Sequence, residues 1–193
     1  MKNPFNYLLK RIQLKTRYHT IEKIFSHLTS EEKITLLSLA RSSEGTFVEI
    51  GSYLGSSSCF IAEGIQQSGK KSDLFCIDTW QNDAMSEGNK DTYKEFLSNT
   101  REYKNILSPL RGWSYDVAKN FDKKIDFIFI DGDHSYKGVK KDVDLWIPKL
   151  NPGAILVMHD IGWAEGVQRV VMEDISPIAK HEGRLPNLYW AQI

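Results

Sequence analysis

This sequence has no long apolar runs. No stretch approaches the roughly 18 consecutive apolar residues that a membrane-crossing helix needs. The N-terminus has no continuous apolar segment ending in a small-residue cleavage site, so it does not read as a secretory signal. Cysteine is scarce. Cys59 and Cys76 both sit in apolar surroundings, which suits buried thiols in a reducing compartment better than a disulfide, and a cytoplasmic location is expected. An excess of one charge is also missing. The 25 Lys and Arg balance the 25 Asp and Glu, and the formal net charge is zero. Nothing global therefore favours nucleic acid or an acidic surface as a partner. Internal repeats and low-complexity segments are absent as well.

What is present suits a packed soluble domain. Hydrophobic residues make up 41% and charged residues 26% of 193, enough for one domain with a substantial core. The first 45 residues read as a helical extension and residues 46–193 as the main domain. Residues 1–23 hold six Lys or Arg against one acid, Glu22, with Phe5, Leu8, Leu9 and Ile12 at helical spacing. Such a helix packs on its own domain or on a second copy, making a homo-oligomer, in preference to a membrane surface. Thr29 or Ser30 then caps a helix running through Glu31 and Glu32 to about Ala40.

From residue 46 short apolar strands alternate with helices. Strands are predicted at Phe47–Ile50, Leu74–Ile77, Ile106–Leu110, Asp126–Ile130, Ala154–Met158 and Leu188–Ile193. Pro109 cannot donate to a ladder, which assigns its strand to a sheet edge. Helices are predicted from Ser56 to Gln67 with Gly69 as the stop, around Tyr93, Phe96 and Leu97, and around Val167, Val170 and Val171. A further helix carries Val139, Val143 and Trp146 on one face and ends near Trp146, because Pro148 follows. The alternation predicts an α/β fold: a Rossmann-like, doubly wound, mainly parallel sheet with helices on both faces. In such folds ligands bind beyond the carboxyl ends of the strands.

Three groups of residues follow strand ends. Glu49-Ile50-Gly51-Ser52-Tyr53-Leu54-Gly55-Ser56 offers a tight glycine turn into a helix, although Ser56 breaks the dinucleotide fingerprint. Asp78 ends the next strand, where an acid accepts hydrogen bonds from ribose hydroxyls, and an adenosine-containing cofactor is expected. Asp131-Gly132-Asp133-His134 and His159-Asp160 end two further strands. Oxygen ligands from Asp131 and Asp160 suit a hard cation such as Mg²⁺, and His134 suits a general base. A nicotinamide-dependent oxidoreductase, a metal-dependent hydrolase and a non-catalytic binding module remain alternatives on these residues alone.

The stretches FVEIGSYLGSSS, LFCIDTW and DFIFIDGDHSYKGVKKDVDLWIPKLNPGAILVMHDI resemble class I S-adenosylmethionine-dependent methyltransferases, in particular the group containing macrocin O-methyltransferase. The likeness covers about residues 45–175, and the DGDHSY stretch with the later HD pair is its specific part. It implies a seven-stranded sheet with S-adenosylmethionine over the end of the first strand. By resemblance, Glu49, Gly51, Ser52 and Gly55 border the methionine part, Asp78 holds the ribose, and Trp80 and Ser114 flank the adenine. It further implies Mg²⁺ on Asp131, His159 and Asp160, and His134 as the base. Position 159 departs from the pattern, since an acid is usual there in the metal-dependent macrolide-sugar enzymes. Little chain remains after residue 175, so one of the last two strands is expected to be absent or abbreviated. The implied activity is O-methylation of a small molecule such as a sugar or natural product. The N-terminal helices and residues 81–105 are the expected substrate cover.

Overall fold

Strand β4 (Ile125–Ile130) shows why the sheet must be covered on both sides. Side chains alternate across a strand. Phe127 and Phe129 join one hydrophobic core, while Ile125, Ile128 and Ile130 join another. A strand apolar on both faces is stable only between two helical layers. The computed structural model, which describes residues 16–81 and 88–193, supplies both layers.

The sheet comprises β1 (Gly45–Ile50), β2 (Ser72–Asp78), β3 (Leu107–Arg111), β4, β5 (Leu150–His159), β6 (His181–Arg184) and β7 (Leu188–Gln192). Its order is β3-β2-β1-β4-β5-β7-β6, with β3 at an edge as Pro109 requires. The pairs from β3 to β5 are parallel, whereas β5–β7 and β6–β7 are antiparallel. The last two strands are both present, and β6 is abbreviated to four residues.

One layer is formed by α1 (Ser30–Ser42) and α2 (Ser56–Ser68), whose Leu36, Leu37, Ala40, Phe60, Ile61 and Ile65 share a core with Phe47 and Phe127. Thr29 caps α1 through a reciprocal pair, its hydroxyl accepting from the Glu32 amide while its own amide donates to Glu32 Oε2. α3 (Tyr93–Asn99) adds the buried Phe96 to this side. The other layer is formed by α4 (Tyr136–Trp146) and α5 (Glu165–Val170), which pack Val139, Val143, Trp146, Val167 and Val170 against Ile128 and Ile130. α4 ends at Trp146, and Pro148 lies in a 3-10 turn beyond it. Cys59 and Cys76 are buried free thiols. No helix among the described residues is long and apolar enough to cross a membrane. Positions 5–12 of the basic N-terminal segment, and part of the expected cover at 81–105, lie outside the described residues.

Candidate active site

Strand order reverses between β1 and β4, since β2 and β3 lie to one side and β5 to the other. The ends of these two strands therefore open a crevice. Gly51 follows β1 with a φ of +86°, and a Cβ there would fall 2.0 Å from the backbone carbonyl oxygen of Asp131. Only glycine allows the turn after β1 to lie this close to the strand end that carries the acid. The crevice deepens into a cavity of about 1020 Å³ lined by Gly51, Ser52, Asp78, Ser114, Asp131, His134, His159 and Asp160 among others. Asp78 and His134 thus share one rim of the sheet, as the strand-end rule predicts.

The glycine turn is braced from behind. Glu49 is fully buried and accepts hydrogen bonds from Ser52 Oγ, at 2.7 Å, and from Ser58 Oγ. Burial pushes its carboxyl up, against the opposing hydroxyls of Ser57, Ser58 and Ser52. Neither Glu49 nor Gly55 lines the cavity. Gly55 precedes α2 in the left-handed conformation, and a Cβ there would meet Thr100 Cγ2 at 2.5 Å. Ser56 Oγ, at the first position of α2, is buried against the cavity with no hydrogen-bond partner. An orphaned hydroxyl at a helix N-terminus suits an anionic group of a bound molecule.

Asp78 accepts the Tyr53 amide on Oδ2 at 2.8 Å and the Trp80 amide on Oδ1 at 2.6 Å, which locks the β2 end to the glycine turn. Trp80, expected beside the adenine, is placed in the core. Its indole is 1% exposed, packs on Tyr93 and Phe96, and does not line the cavity. Its Nε1 donates to the Tyr53 carbonyl at 2.9 Å, so it supports the turn from the core instead of flanking an adenine. Ser114 does line the cavity, beside Trp113 and Tyr115. Its hydroxyl donates to Asp142, a buried acid of α4 that also lines the cavity. Burial pushes the Asp142 carboxyl up to about 6.

At the other end of the rim, seven side chains converge. His134 Nε2 donates to Asp160 Oδ2 at 2.8 Å. Asp160 Oδ1 accepts from Trp163 Nε1 at 2.8 Å and Asn187 Nδ2 at 2.9 Å. The bond to Asp160 is the main reason that the His134 imidazole is held above its ordinary value of 6.5. Burial would raise the Asp160 carboxyl, but His134, His159 and Asn187 together hold it well below the usual aspartate range. His159 is buried, with Nδ1 3.1 Å from Asp131 Oδ1 and 3.2 Å from Asp160 Oδ1. Burial would lower its pKa, yet Asp131, Asp160 and Glu32 push it up to about 12. Glu32, from α1, stands 3.6 Å from His159 Nε2, so the N-terminal helix contributes a third carboxylate to this network.

The structure places the expected metal set of Asp131, His159 and Asp160 side by side. Among the described residues, the three groups whose potential ligand atoms lie within 4.8 Å of one another are Asp131, His134 and Asp160. His159 lies outside that triplet and turns Nδ1 to the two carboxylates.

Several residues at the site gave no sequence signal. Glu32, Asp142 and Asn187 are polar residues in ordinary contexts, and only the fold brings them to the rim. Phe25 and Trp163, 54% and 63% exposed, border the cavity mouth. Trp163 could have been suspected, because it follows the HD pair by three residues. Tyr53, Trp80 and Asp160 are the non-glycine residues with positive φ among the described residues. All three fall at strand ends on this rim, where backbone strain commonly accompanies function.

Such a sheet, with a glycine turn, a strand-end acid and a charged rim around one cavity, defines a Rossmann-like protein with its crevice at the switch point. The Methyltransferase domain family matches residues 48–161, more than half of the chain, and the chain belongs to that family. It is 28% identical to protein y4gI of Sinorhizobium fredii over 115 residues, and 28% identical to protein R132 of Acanthamoeba polyphaga mimivirus over 141. These matches cover 58% and 69% of this chain but only 13% and 60% of those two proteins. In fold it is similar to the O-methyltransferase from Bacillus cereus in complex with S-adenosylhomocysteine, with a TM-score of 0.70 and 12% identity, covering 96% of this chain and 97% of that one. It is likewise similar to the O-methyltransferase TomG from Streptomyces achromogenes, with a TM-score of 0.65 and 14% identity, covering 96% and 88%.

Proposed function

We propose that this chain transfers the methyl group of S-adenosylmethionine to a hydroxyl of a small molecule such as a sugar or natural product, with His134 as the general base. The observation that carries this reading is the single cavity shared by Asp78 and His134. The Ser56 hydroxyl, orphaned at the start of α2, fits the methionine carboxylate. In this reading Asp78, which lines the cavity, binds the ribose, and Ser114 with Asp142 binds the adenine. The Bacillus cereus O-methyltransferase in complex with S-adenosylhomocysteine and TomG in complex with S-adenosylmethionine support the cofactor.

The cofactor, when bound, supplies a methyl group on a sulfonium that is already a good leaving group. The protein has two remaining tasks. Holding acceptor and donor in line lowers the barrier by about 7–11 kcal/mol. Removing the acceptor proton as the bond forms contributes about 10²–10⁴-fold. His134 suits the second task. Its Nε2–H is engaged by Asp160, so Nδ1 is the atom that accepts the proton. Asp160 stays ionised and stabilises the imidazolium that results. Phe25 and Trp163 at the mouth offer flat apolar faces to a ring-shaped acceptor.

Calorimetry with S-adenosylhomocysteine and with NAD tests the cofactor. Incubation with methyl-labelled S-adenosylmethionine and a panel of glycosides and phenols tests the transfer. Binding of S-adenosylhomocysteine but not NAD, with label on oxygen, is expected. Binding of NAD alone would overturn the reading.

A further inference from the structure

The metal-dependent members of the group this chain resembles imply a divalent cation at positions 131, 159 and 160. Mg²⁺ demands oxygen lone pairs in near-octahedral array and retains several of its own waters. At Asp160 three of the four lone-pair sites are already engaged. Oδ2 accepts from His134 Nε2 at 2.8 Å, and Oδ1 accepts from Trp163 Nε1 at 2.8 Å and Asn187 Nδ2 at 2.9 Å. A fourth donor, His159 Nδ1, stands 3.2 Å from Oδ1. The same ring nitrogen is 3.1 Å from Asp131 Oδ1.

The tautomer of His159 follows from its neighbours. Both groups nearest Nδ1 are carboxylates, which only accept, so Nδ1 carries a hydrogen. This holds whatever the state of Nε2, which faces Glu32 Oε2 at 3.6 Å and Asn187 Nδ2 at 3.3 Å. A ring nitrogen that carries hydrogen cannot ligate a metal. The ring is also buried, with little room to turn away. Even the convergence of Asp131, His134 and Asp160 reflects a hydrogen bond between two of its members. The residues present do not fit a hard divalent ion.

We propose that this chain carries out its reaction without a divalent cation, the Nδ1–H of His159 bridging Asp131 and Asp160 where metal-dependent enzymes of similar sequence place an ion. The proposal rests on the methyltransferase reading above. In it His159 is a positioning residue. It holds the two carboxylates together without touching the reacting atoms, and Asp160 so held aims His134 at the acceptor.

The test is a titration of Mg²⁺, and separately Mn²⁺, into the chelator-stripped full chain, followed by calorimetry and by tryptophan fluorescence. S-adenosylhomocysteine affinity is measured on the same samples with and without EDTA. No metal binding in the wild type, and a cofactor affinity indifferent to EDTA, are expected. His159→Asp removes the bridging donor and adds a further carboxylate beside Asp131 and Asp160, and should raise Mg²⁺ affinity by at least about tenfold. Uptake of either ion by the wild type, abolished in Asp131→Asn, would overturn the proposal. A folded His159→Asp chain that still ignores Mg²⁺ would also overturn it. If that variant fails to fold, the wild-type titration decides alone. Failure to bind S-adenosylhomocysteine would count against the methyltransferase reading and is scored separately from the metal result.

Discussion

His134 and Asp160 face each other across 2.8 Å, Nε2 to Oδ2, although one follows β4 and the other follows β5. The aspartate is the more buried partner. The histidine keeps 41% of its side chain exposed and packs edge-on against Trp163, with ring centroids 5.0 Å apart. A buried carboxylate thus aims an accessible imidazole into the cavity, the arrangement that general-base chemistry needs.

His134→Ala should lower kcat for methyl transfer by about 10²–10⁴-fold, the usual contribution of a positioned base. The affinity for S-adenosylhomocysteine should stay nearly unchanged, because the glycine turn and Asp78 are untouched. Steady-state kinetics paired with calorimetry checks both halves. Turnover equal to wild type would remove His134 from the base role.

The pH profile has a defined sign. His134 is raised above 6.5, chiefly by its bond to Asp160. A base works only when deprotonated, so kcat should climb with pH through that raised value and level off above it. In Asp160→Asn the stabilisation of the imidazolium is lost, and the rising limb should move toward lower pH. A limb that stays in place would show that Asp160 does not tune the base.

Asp142 makes a stability prediction. Its carboxyl rises from the ordinary 3.8 to about 6 because it is buried, with 5% of the residue exposed. The folded state therefore holds the proton more tightly than the unfolded state. Its contribution is fully present below about pH 4 and is lost as pH rises through about 6, a change on the order of 3 kcal/mol. Asp142→Asn cannot titrate there. The wild-type minus variant difference in unfolding free energy, from urea melts at pH 4 and pH 7, should fall by that order.

Gly51→Ala should be severely destabilising. The new Cβ combines a φ of +86° with a 2.0 Å approach to the Asp131 carbonyl oxygen. Left-handed strain and backbone overpacking together suggest a loss of at least about 3 kcal/mol, with S-adenosylhomocysteine binding lost as well. Thermal melts and calorimetry report the two effects.

Trp80→Phe separates a supporting role from a contact role. The substitution removes the hydrogen bond to the Tyr53 carbonyl, at about 0.5–1.5 kcal/mol of stability. Since the indole lies outside the cavity, S-adenosylhomocysteine affinity should change little. A large loss of affinity at unchanged stability would return Trp80 to the adenine.

Much of this protein was legible in residue order alone. Phe127 to Ile130 had to form a strand buried on both faces, because four consecutive apolar residues leave no side for water. Pro109 had to lie at a sheet edge, because it lacks an amide hydrogen. From alternating strands and helices followed a mainly parallel sheet, and from the sheet one rim gathering Asp78, Asp131, His134 and Asp160. These inferences depend on local chemistry and chain geometry, which sequence carries directly.

Tertiary structure decided which way side chains turn once they reach the rim. Trp80 and Asp78 are two residues apart, yet one enters the core and the other lines the cavity, because Trp80 takes a φ of +51° and finds Tyr93 and Phe96 beneath it. His159 and Asp160 are adjacent, yet the histidine serves as a donor between carboxylates contributed by α1, β4 and its own strand end. No spacing in the sequence links Glu32 to Asn187. Only packing sets a hydrogen-bond donor where an ion was expected, since donor and ligand differ by a proton whose place depends on every neighbour within reach.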